Sequence, residues 1–345
     1  MNNCIIDDAQ CASKTANKNK LFKNIVLKHS AIKNAKTMQK NAKIMQIIAN
    51  IAIILIISII ISNPLKFIDS ARQGVFLWGN NVLPALFPFM FLTKILVGIL
   101  PKYKIRPSIY VFSISVLSGY PISSKLLRDY YDKGLITTEY AKRVYSYSAT
   151  SGPIFVIGTV GAMFFNDIKV GIMIFVVHII TSLLTGLLLG GFKRSNVDTD
   201  IKSDTDVNYG KVISESIFSS ISSILMVGAY IMVFYVLFDA ITSIGLLDIV
   251  TRWLEKVNVH SDLSFGILAG MIELTRGVYE LGGIGSKLAI AVSGGLISFS
   301  GFCILMQSYT FLQPVGVTFR YILLVKIIHA LLTFIGLAIL LLFGI

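Results

Sequence analysis

Charged residues are scarce in this chain, and their scarcity decides its class. Only 14% of the 345 residues are Asp, Glu, Lys or Arg, whereas 54% are hydrophobic and the mean hydropathy is +0.75. A soluble domain carries about 25% charged residues, so the composition indicates an integral membrane protein in a lipid bilayer. The net charge is +13. The basic residues gather in a tail and in loops beside apolar runs, which indicates topology signals and argues against nucleic acid as a partner.

Cysteines are few and catalytic motifs are absent. Cys4 and Cys11 lie in the polar tail and Cys303 lies in an apolar run, a pattern that indicates neither a disulfide framework nor a zinc site. The sequence has no H-E-x-x-H, G-x-S-x-G or Walker A motif, which argues against an enzyme. Aspartates within 198–206 lack the glycine and closing glutamate of a calcium loop, so a solvated linker is favoured. We expect no catalytic residue, no metal and no cofactor.

Composition divides the chain into five segments. Residues 1–43 hold nine lysines and two aspartates, a net charge of +7, and are either a disordered cytoplasmic tail or the product of a mis-chosen start codon. Residues 44–63 are long enough to cross the bilayer. The long polar region before them, with no A-x-A-like site after them, favours a signal anchor over a cleaved signal peptide. Two apolar halves, 64–195 and 212–345, flank a polar linker at 196–211.

The two halves are predicted to be repeats of opposite orientation. Ser151-Gly152 recurs as Ser300-Gly301 at an offset of 149, and His178 recurs as His329 at an offset of 151. Each half is predicted to hold three crossings and one re-entrant hairpin, and an odd number of crossings inverts the second half. With the anchor, this gives an all-α polytopic membrane protein with seven crossings, two inverted-topology repeats and two re-entrant helical hairpins. Inverted repeats that meet at the bilayer midplane are a transporter architecture.

Polar breaks in the apolar runs mark the candidate site. One half contains Ser118–Lys125 and Ser148–Pro153, and the other contains Glu273–Gly277 and Ser298–Gly301. Polar backbone at membrane depth is tolerated only where it is buried in protein or lines a watery cavity. We therefore expect the four breaks to meet near mid-membrane. The candidate substrate-binding residues are Ser118, Gly119, Tyr120, Pro121, Ser123, Lys125, Ser151, Gly152, Glu273, Thr275, Arg276, Gly277, Ser300, Gly301 and Gln307.

The first-half sequence resembles a known family. The string NNVLPALFPFMFLTKIL, followed by LSGYPISSKLLRDYYDKGLIT and YSATSGPIFVIGTVGAMFF, is similar to the YlbJ-type (SpoVV) sporulation integral membrane proteins. These belong to the wider gate or nucleoside-recognition group, and the resemblance covers about Asn80 to Ile345. The second half matches through Glu273-Leu-Thr-Arg-Gly277. One departure is Ser-Gly-Pro at 151–153, where some members carry Ser-Asn-Pro. The resemblance implies transport of dipicolinate across the outer forespore membrane.

The residues allow several roles. Hairpin N-termini, serine hydroxyls, Lys125 and Arg276 could hold the carboxylates of a small planar anion, and Tyr120 could stack on its ring. Glu273, a carboxylate within an apolar segment, could hold a coupling proton or cation, or could pair structurally with Arg276. Each serine is equally a packing residue. Lys125 could instead snorkel to the interface, and His178 and His329 are interpreted as packing residues.

The alternatives to this carrier are a nucleoside-type solute carrier and a non-transporting membrane scaffold. Polar residues that converge from both hairpins favour transport. A cavity plugged by bulky side chains would favour the scaffold. The oligomeric state is left open by the sequence.

Overall fold

The structure is a computed structural model that describes residues 46–99, 106–192, 208–256 and 260–343. The chain separates into two compact units, Met1–Pro64 and Leu65–Ile345. In the first unit, helix α1 spans Gln46–Ser62, within the predicted anchor of residues 44–63. Nearly all of its side chains are exposed, as a lipid-facing helix requires. The predicted tail at 1–43 and most of the linker at 196–211 lie outside the described residues.

All regular secondary structure in the described residues of the second unit is helical. A π-helix, Trp78–Val82, joins α2 to α3, another occupies Ile154–Phe164, and a short 3₁₀ turn covers Gln313–Val315. The α-helices are α2 (Pro64–Leu77), α3 (Leu83–Ile99), α4 (Pro107–Ser118), α5 (Ile122–Asp132), α6 (Thr138–Ser148), α7 (Ile168–Leu188), α8 (Tyr209–Ser243), α9 (Leu246–Lys256), α10 (Ser261–Ile272), α11 (Leu274–Ile284), α12 (Lys287–Phe299), α13 (Gly301–Leu312) and α14 (Phe319–Leu342).

Side-chain caps begin the helices that follow short turns. The Asp167 carboxylate accepts a hydrogen bond from the Lys169 N–H at 2.8 Å, and the Ser286 hydroxyl accepts one from the Ala289 N–H at 3.1 Å. The Thr137 hydroxyl caps α6 in the same way. Such caps satisfy N–H groups that have no partner within the helix, so α6, α7 and α12 start sharply after their turns.

Four helices are long and apolar enough to cross a membrane by themselves. They are Ile168–Leu188, Tyr209–Ser243, Lys287–Val315 and Phe319–Leu342, and the number rises to five if Gln46–Ser62 and Pro64–Val82 are counted as one span. The prolines of the apolar stretch 74–100 predict a broken or bent span, and the π-helix Trp78–Val82 lies within that stretch. The stretch 144–165, predicted to form one span, is interrupted between the end of α6 at Ser148 and the π-helix Ile154–Phe164. The protein is therefore an integral membrane protein whose described residues form helices and no strand, while the prediction of seven crossings stays a prediction.

The helices of the second unit form two series in the same order. The first runs α4, α5, α6, the π-helix Ile154–Phe164 and α7, and the second runs α10, α11, α12, α13 and α14. In the first series, three residues separate α4 from α5 and five separate α6 from the π-helix. In the second series, one residue separates α10 from α11 and one separates α12 from α13. Each series ends in a long apolar helix that carries a buried histidine, His178 or His329. These breaks place polar residues in the interior between two apolar clusters.

Candidate functional site

Three of the four predicted breaks, and the helix that follows the fourth, enclose a cavity of about 60 Å³. This volume holds a few water molecules, since one water needs roughly 10–15 Å³. The apolar part of the wall was not anticipated from the sequence and includes Val82, Leu86, Phe155, Val227, Ile231 and Ile304. Eight of the fifteen candidate residues line the cavity: Ser118, Gly119, Tyr120, Ser151, Gly152, Glu273, Thr275 and Gln307.

The break after α4 is built on a glycine. Gly119 has a φ of +75°, in the region that side-chain-bearing residues rarely adopt, and the Tyr120–Pro121 peptide bond is cis. A Cβ on Gly119 would lie 2.6 Å from the backbone nitrogen of Gly152. Two chain breaks of the first half therefore touch backbone to backbone.

The breaks of the second half touch in a corresponding way. Ser300 and Gly301 both have positive φ, +80° and +66°. A Cβ on Gly301 would lie 2.9 Å from the carbonyl oxygen of Gly270 and 3.1 Å from the Leu274 nitrogen. At Gly119, Gly152 and Gly301, the space that a side chain would take is therefore occupied by protein backbone.

Two lining serines offer free hydroxyl groups to the cavity. Ser118 and Ser151 are 9% and 2% exposed. Within the described part of the chain, neither hydroxyl makes a hydrogen bond to a protein group. A buried hydroxyl without a partner costs free energy, so both groups are disposed to bind a water molecule or a polar solute.

Glu273 lines the cavity and also caps helix α11. It is 1% exposed, and its carboxylate accepts hydrogen bonds from the N–H groups of Thr275 and Arg276 at 3.1 and 2.8 Å. The N-terminal end of α11 favours negative charge there. Because the side chain occupies these N–H groups itself, the tip of this hairpin does not offer them to a substrate in this structure.

The Arg276 side chain does not line the cavity. Its guanidinium donates to Asp239 on α8 at 3.0 Å and lies over the rings of Tyr235 and Phe238, at 4.7 and 4.3 Å from their centroids. In the expected alternative, Arg276 pairs structurally with Glu273; in the structure only the Arg276 backbone N–H contacts Glu273, and the guanidinium pairs with Asp239 instead. The proposed contact of Arg276 with substrate stays a prediction that requires this pair to open.

Lys326 is the charged group that the sequence analysis overlooked. Its side chain is 1% exposed, and its amine donates to the Tyr120 hydroxyl at 3.0 Å and to the Ala149 carbonyl at 2.6 Å. None of the four ion pairs in the described ranges includes it. A lysine within the apolar run YILLVKIIHALL was the available signal, by the same rule that selected Glu273.

Tyr120 connects Lys326 to the cavity. Its hydroxyl donates to the Ile297 carbonyl at 2.9 Å, and the Lys326 amine lies 4.5 Å from its ring centroid. Lys326 itself does not line the cavity, so its contact with Tyr120 is its link to the cavity wall. One face of the ring is consequently engaged by a cationic side chain.

The two matched histidines form a buried contact behind Ser151. Their ring centroids lie 4.6 Å apart. His178 Nε2 accepts from the Ser151 N–H at 2.9 Å, so in a neutral ring Nδ1 carries the hydrogen and donates to Ser298 at 2.7 Å. The His329 Nε2–H donates to the His178 carbonyl at 2.9 Å. These bonds fix the Ser151 break and fit the packing role expected for both histidines.

The remaining candidates lie away from the cavity wall. Lys125 donates to Ser219 at 3.3 Å, and a Cβ on Gly277 would lie 2.1 Å from the Gly270 Cα, which makes Gly277 a helix-contact residue. Within the described ranges, no group of three or more His, Cys, Asp or Glu could hold a metal ion. Seven of the fifteen candidates do not line the cavity: Pro121, Ser123, Lys125, Arg276, Gly277, Ser300 and Gly301.

A curated bacterial protein is similar to this chain over most of its length. The chain is 24% identical to the sporulation integral membrane protein YlbJ of Bacillus subtilis (strain 168) over 313 aligned residues, which cover 78% of this chain and 76% of that protein. No protein-family model matches the chain, and no solved structure matches it. The similarity covers about three quarters of each protein, and it agrees with the resemblance to the YlbJ-type sporulation integral membrane proteins that the sequence motifs indicate.

Proposed function

We propose that this protein is a membrane carrier for a small planar organic anion. The observation that carries the proposal is the cavity between the chain breaks, where the free hydroxyls of Ser118 and Ser151 face the same space as Tyr120. Irregular backbone at membrane depth belongs in a protein interior that binds polar groups. Discontinuous helices from two halves are where transporters place their substrates.

The charge behind the cavity favours an anion. Lys326 is buried without a carboxylate partner among the described ion pairs, and an ammonium group in such a place is costly. A substrate carboxylate in the cavity would offset that cost through Tyr120 or by direct contact. Lys326 thereby takes the charge-pairing role for which the sequence nominated Arg276.

Glu273 is proposed to couple transport to a proton or cation. Its carboxylate faces the same cavity, so a bound anion would be repelled while Glu273 is ionised. Protonation of Glu273, or a cation bound beside it, removes that repulsion. Substrate and proton or cation would then occupy the cavity together.

The cavity is too small to hold the proposed solute, which bears on the conformation of the carrier. A volume of about 60 Å³ is too small for an aromatic dicarboxylate, since ligand pockets commonly measure roughly 300–1,000 Å³. The lining helices must separate before a solute enters. We interpret this arrangement as the closed form of a carrier.

We further propose that the two helix series are inverted repeats about a two-fold axis in the membrane plane. Gly119 contacts Gly152, and Gly270 contacts Gly301, at offsets of 151 and 149 residues. The equivalent histidines stack on each other, as residues do when they lie beside a two-fold axis. This relation gives the carrier two similar half-sites around one cavity.

Dipicolinate is the first solute to test. It is a flat dianion, the family resemblance implies it, and a similar protein acts in sporulation by its name. The same resemblance places the protein in the outer forespore membrane. A non-transporting scaffold is the second candidate, favoured by the small cavity.

The test is uptake into lipid vesicles that contain the purified protein alone. Labelled dipicolinate, isophthalate and a nucleoside are compared under imposed pH and sodium gradients. We expect Lys326→Met to weaken apparent dipicolinate affinity about 10- to 150-fold, the value of one lost charge-assisted contact, with partial rescue by Lys326→Arg. Glu273→Gln should change the dependence on the imposed gradient.

Lys287→Met is the matched control. Lys287 also donates to a backbone carbonyl, that of Leu341 at 2.9 Å, but unlike Lys326 it has no hydrogen bond to a residue that lines the cavity, so its loss should leave affinity unchanged. If the folded wild-type protein moves no dipicolinate under any gradient, the dipicolinate carrier is excluded. If it moves none of the three solutes, the carrier function is rejected in favour of the non-transporting membrane scaffold.

A further inference from the structure

Two lysines from different helices meet at one serine, outside the cavity already described. Lys94 of α3 donates to Ser219 and Ser223 of α8 at 2.9 Å each, and Lys125 of α5 donates to Ser219 at 3.3 Å. Because both amines contact the same hydroxyl, their nitrogens lie no more than about 6 Å apart. We call these residues the Lys94–Lys125 cluster.

Within the described ranges, no carboxylate forms an ion pair with Lys94 or Lys125. The ion pairs of the described ranges are Arg128–Asp132, Lys142–Glu139, Lys211–Glu215 and Arg276–Asp239. The remaining acid on α5, Asp129, lies one turn after Lys125; its charge interacts with that lysine, but the two side chains are not close enough to form an ion pair. Two ammonium groups at this separation repel each other, and an anion placed between them would remove the repulsion.

The cluster lies beside the cavity in all three helices that build it. On α8, Ser223 is one turn before the cavity residue Val227. On α3, Lys94 is eight residues after the cavity residue Leu86, about 12 Å along a helix. Lys125 follows the cavity residue Tyr120 by five positions. On each helix, the cluster residue is therefore shifted from the cavity toward the same end of the unit, where α3 ends and α8 begins.

We propose that the Lys94–Lys125 cluster is a second anion-binding site, which holds a carboxylate or phosphate group. The site would lie between the cavity and the membrane surface at which α3 ends and α8 begins. The identity of its solute rests on the carrier function proposed above. The flexible lysine stems can exchange the Ser219 hydroxyl for anion oxygens without moving a helix. Two successive sites, each of moderate strength, allow an ion to enter and also to leave.

The same chemistry would suit the phosphate of a lipid headgroup. The experiment therefore places a thiol at the meeting point with Ser219→Cys in the full-length protein and measures its modification by a negatively charged and a positively charged methanethiosulfonate. Labelling of the parent protein, with its own three cysteines, is subtracted. Neighbouring cations favour the thiolate and attract the anionic reagent.

We expect the anionic reagent to react at least about 10-fold faster than the cationic one, a difference that Lys94→Gln with Lys125→Gln abolishes. Dipicolinate or inorganic phosphate should slow the anionic reagent in lipid-free detergent. Ser243→Cys is the matched control, because Ser243 accepts from the single amine of Lys66 at 2.7 Å. It should show a weaker charge preference and no protection.

Three results overturn the proposal. They are equal rates for the two reagents at Ser219→Cys, the same protection at Ser243→Cys, and protection by anionic phospholipid but by neither soluble anion.

Uptake measurements distinguish a failure of this anion site from a failure of the proposed carrier function. Protection without uptake keeps the anion site and removes the carrier, whereas uptake without protection removes the site alone. A Lys94→Gln, Lys125→Gln protein that transports should need more dipicolinate for half-maximal uptake.

Discussion

At the scale of single residues, Arg276 and Asp239 form the contact that fixes α11 to α8. The pair is 3.0 Å long, and its side chains are 13% and 17% exposed. Asp239 also accepts a hydrogen bond from Ser70 of α2, so three helices meet at one carboxylate. Removal of one partner of such a pair leaves the other charge buried without compensation.

We predict that Arg276→Ala lowers the free energy of unfolding by ~1.5–3 kcal/mol and has a smaller effect on solute affinity in the protein that remains folded. Thermal unfolding in detergent and uptake in vesicles measure the two effects. Arg276→Ala combined with Asp239→Asn should cost less than the sum of the single changes, because the double change leaves no unpaired charge. If Arg276→Ala leaves the stability unchanged but greatly lowers the affinity for the solute, the prediction is wrong and Arg276 binds the substrate directly.

At the scale of helices, contacts between glycines decide how the hairpins close. Gly277 of α11 lies against Gly270 of α10, with 2.1 Å between a Cβ built on Gly277 and the Gly270 Cα. Gly283, on the same helix, has no atom within 4 Å of its built Cβ. One glycine is thus required by a helix crossing, and the other is not.

We predict opposite effects for alanine at these two positions. Gly277→Ala should force α10 and α11 apart and destabilise the protein by ~1–3 kcal/mol. Gly283→Ala should be neutral or stabilising by up to ~1 kcal/mol, since alanine favours a helix over glycine. Apparent melting temperatures in one detergent would compare them. Equal effects would show that the crossing is not tight in the native protein.

The positions of the chain breaks could be predicted from the sequence, but the partners of their side chains could not. Gly119-Tyr120-Pro121 and Ser300-Gly301 interrupt apolar runs with residues that end helices, and this local signal located both breaks. Asp239 lies 37 residues before Arg276, and Tyr120 lies 206 residues before Lys326. Such pairings depend on how distant helices pack, which local composition does not encode.

The extent of the helices was predicted least well. The stretch 144–165 was expected to form one span, but α6 ends at Ser148 and a π-helix begins only at Ile154. Hydropathy reports the length of an apolar run and not the hydrogen-bond register within it, so it could not reveal this interruption.

At the scale of the whole molecule, the proposed inversion of the two halves fixes which loops share a side of the membrane. Asn166 lies in the turn before α7, and Gln313 lies in the equivalent turn before α14. Both are exposed. Helices α7 and α14 are long enough to cross the bilayer, so each turn lies on the side opposite to the end of its helix.

We therefore predict that Asn166→Cys and Gln313→Cys react from opposite sides of the membrane. The distribution of basic residues places Gln313, Lys102 and Lys193 on the cytoplasmic side and Asn166 and Lys256 outside. A membrane-impermeant maleimide applied to intact cells and to inverted vesicles measures this accessibility. The lysine positions, changed singly to cysteine, provide the reference for each side.

If Asn166→Cys and Gln313→Cys label from the same side, the halves are parallel rather than inverted. The cavity would then lack the two-fold relation on which alternating access by a carrier of this design depends.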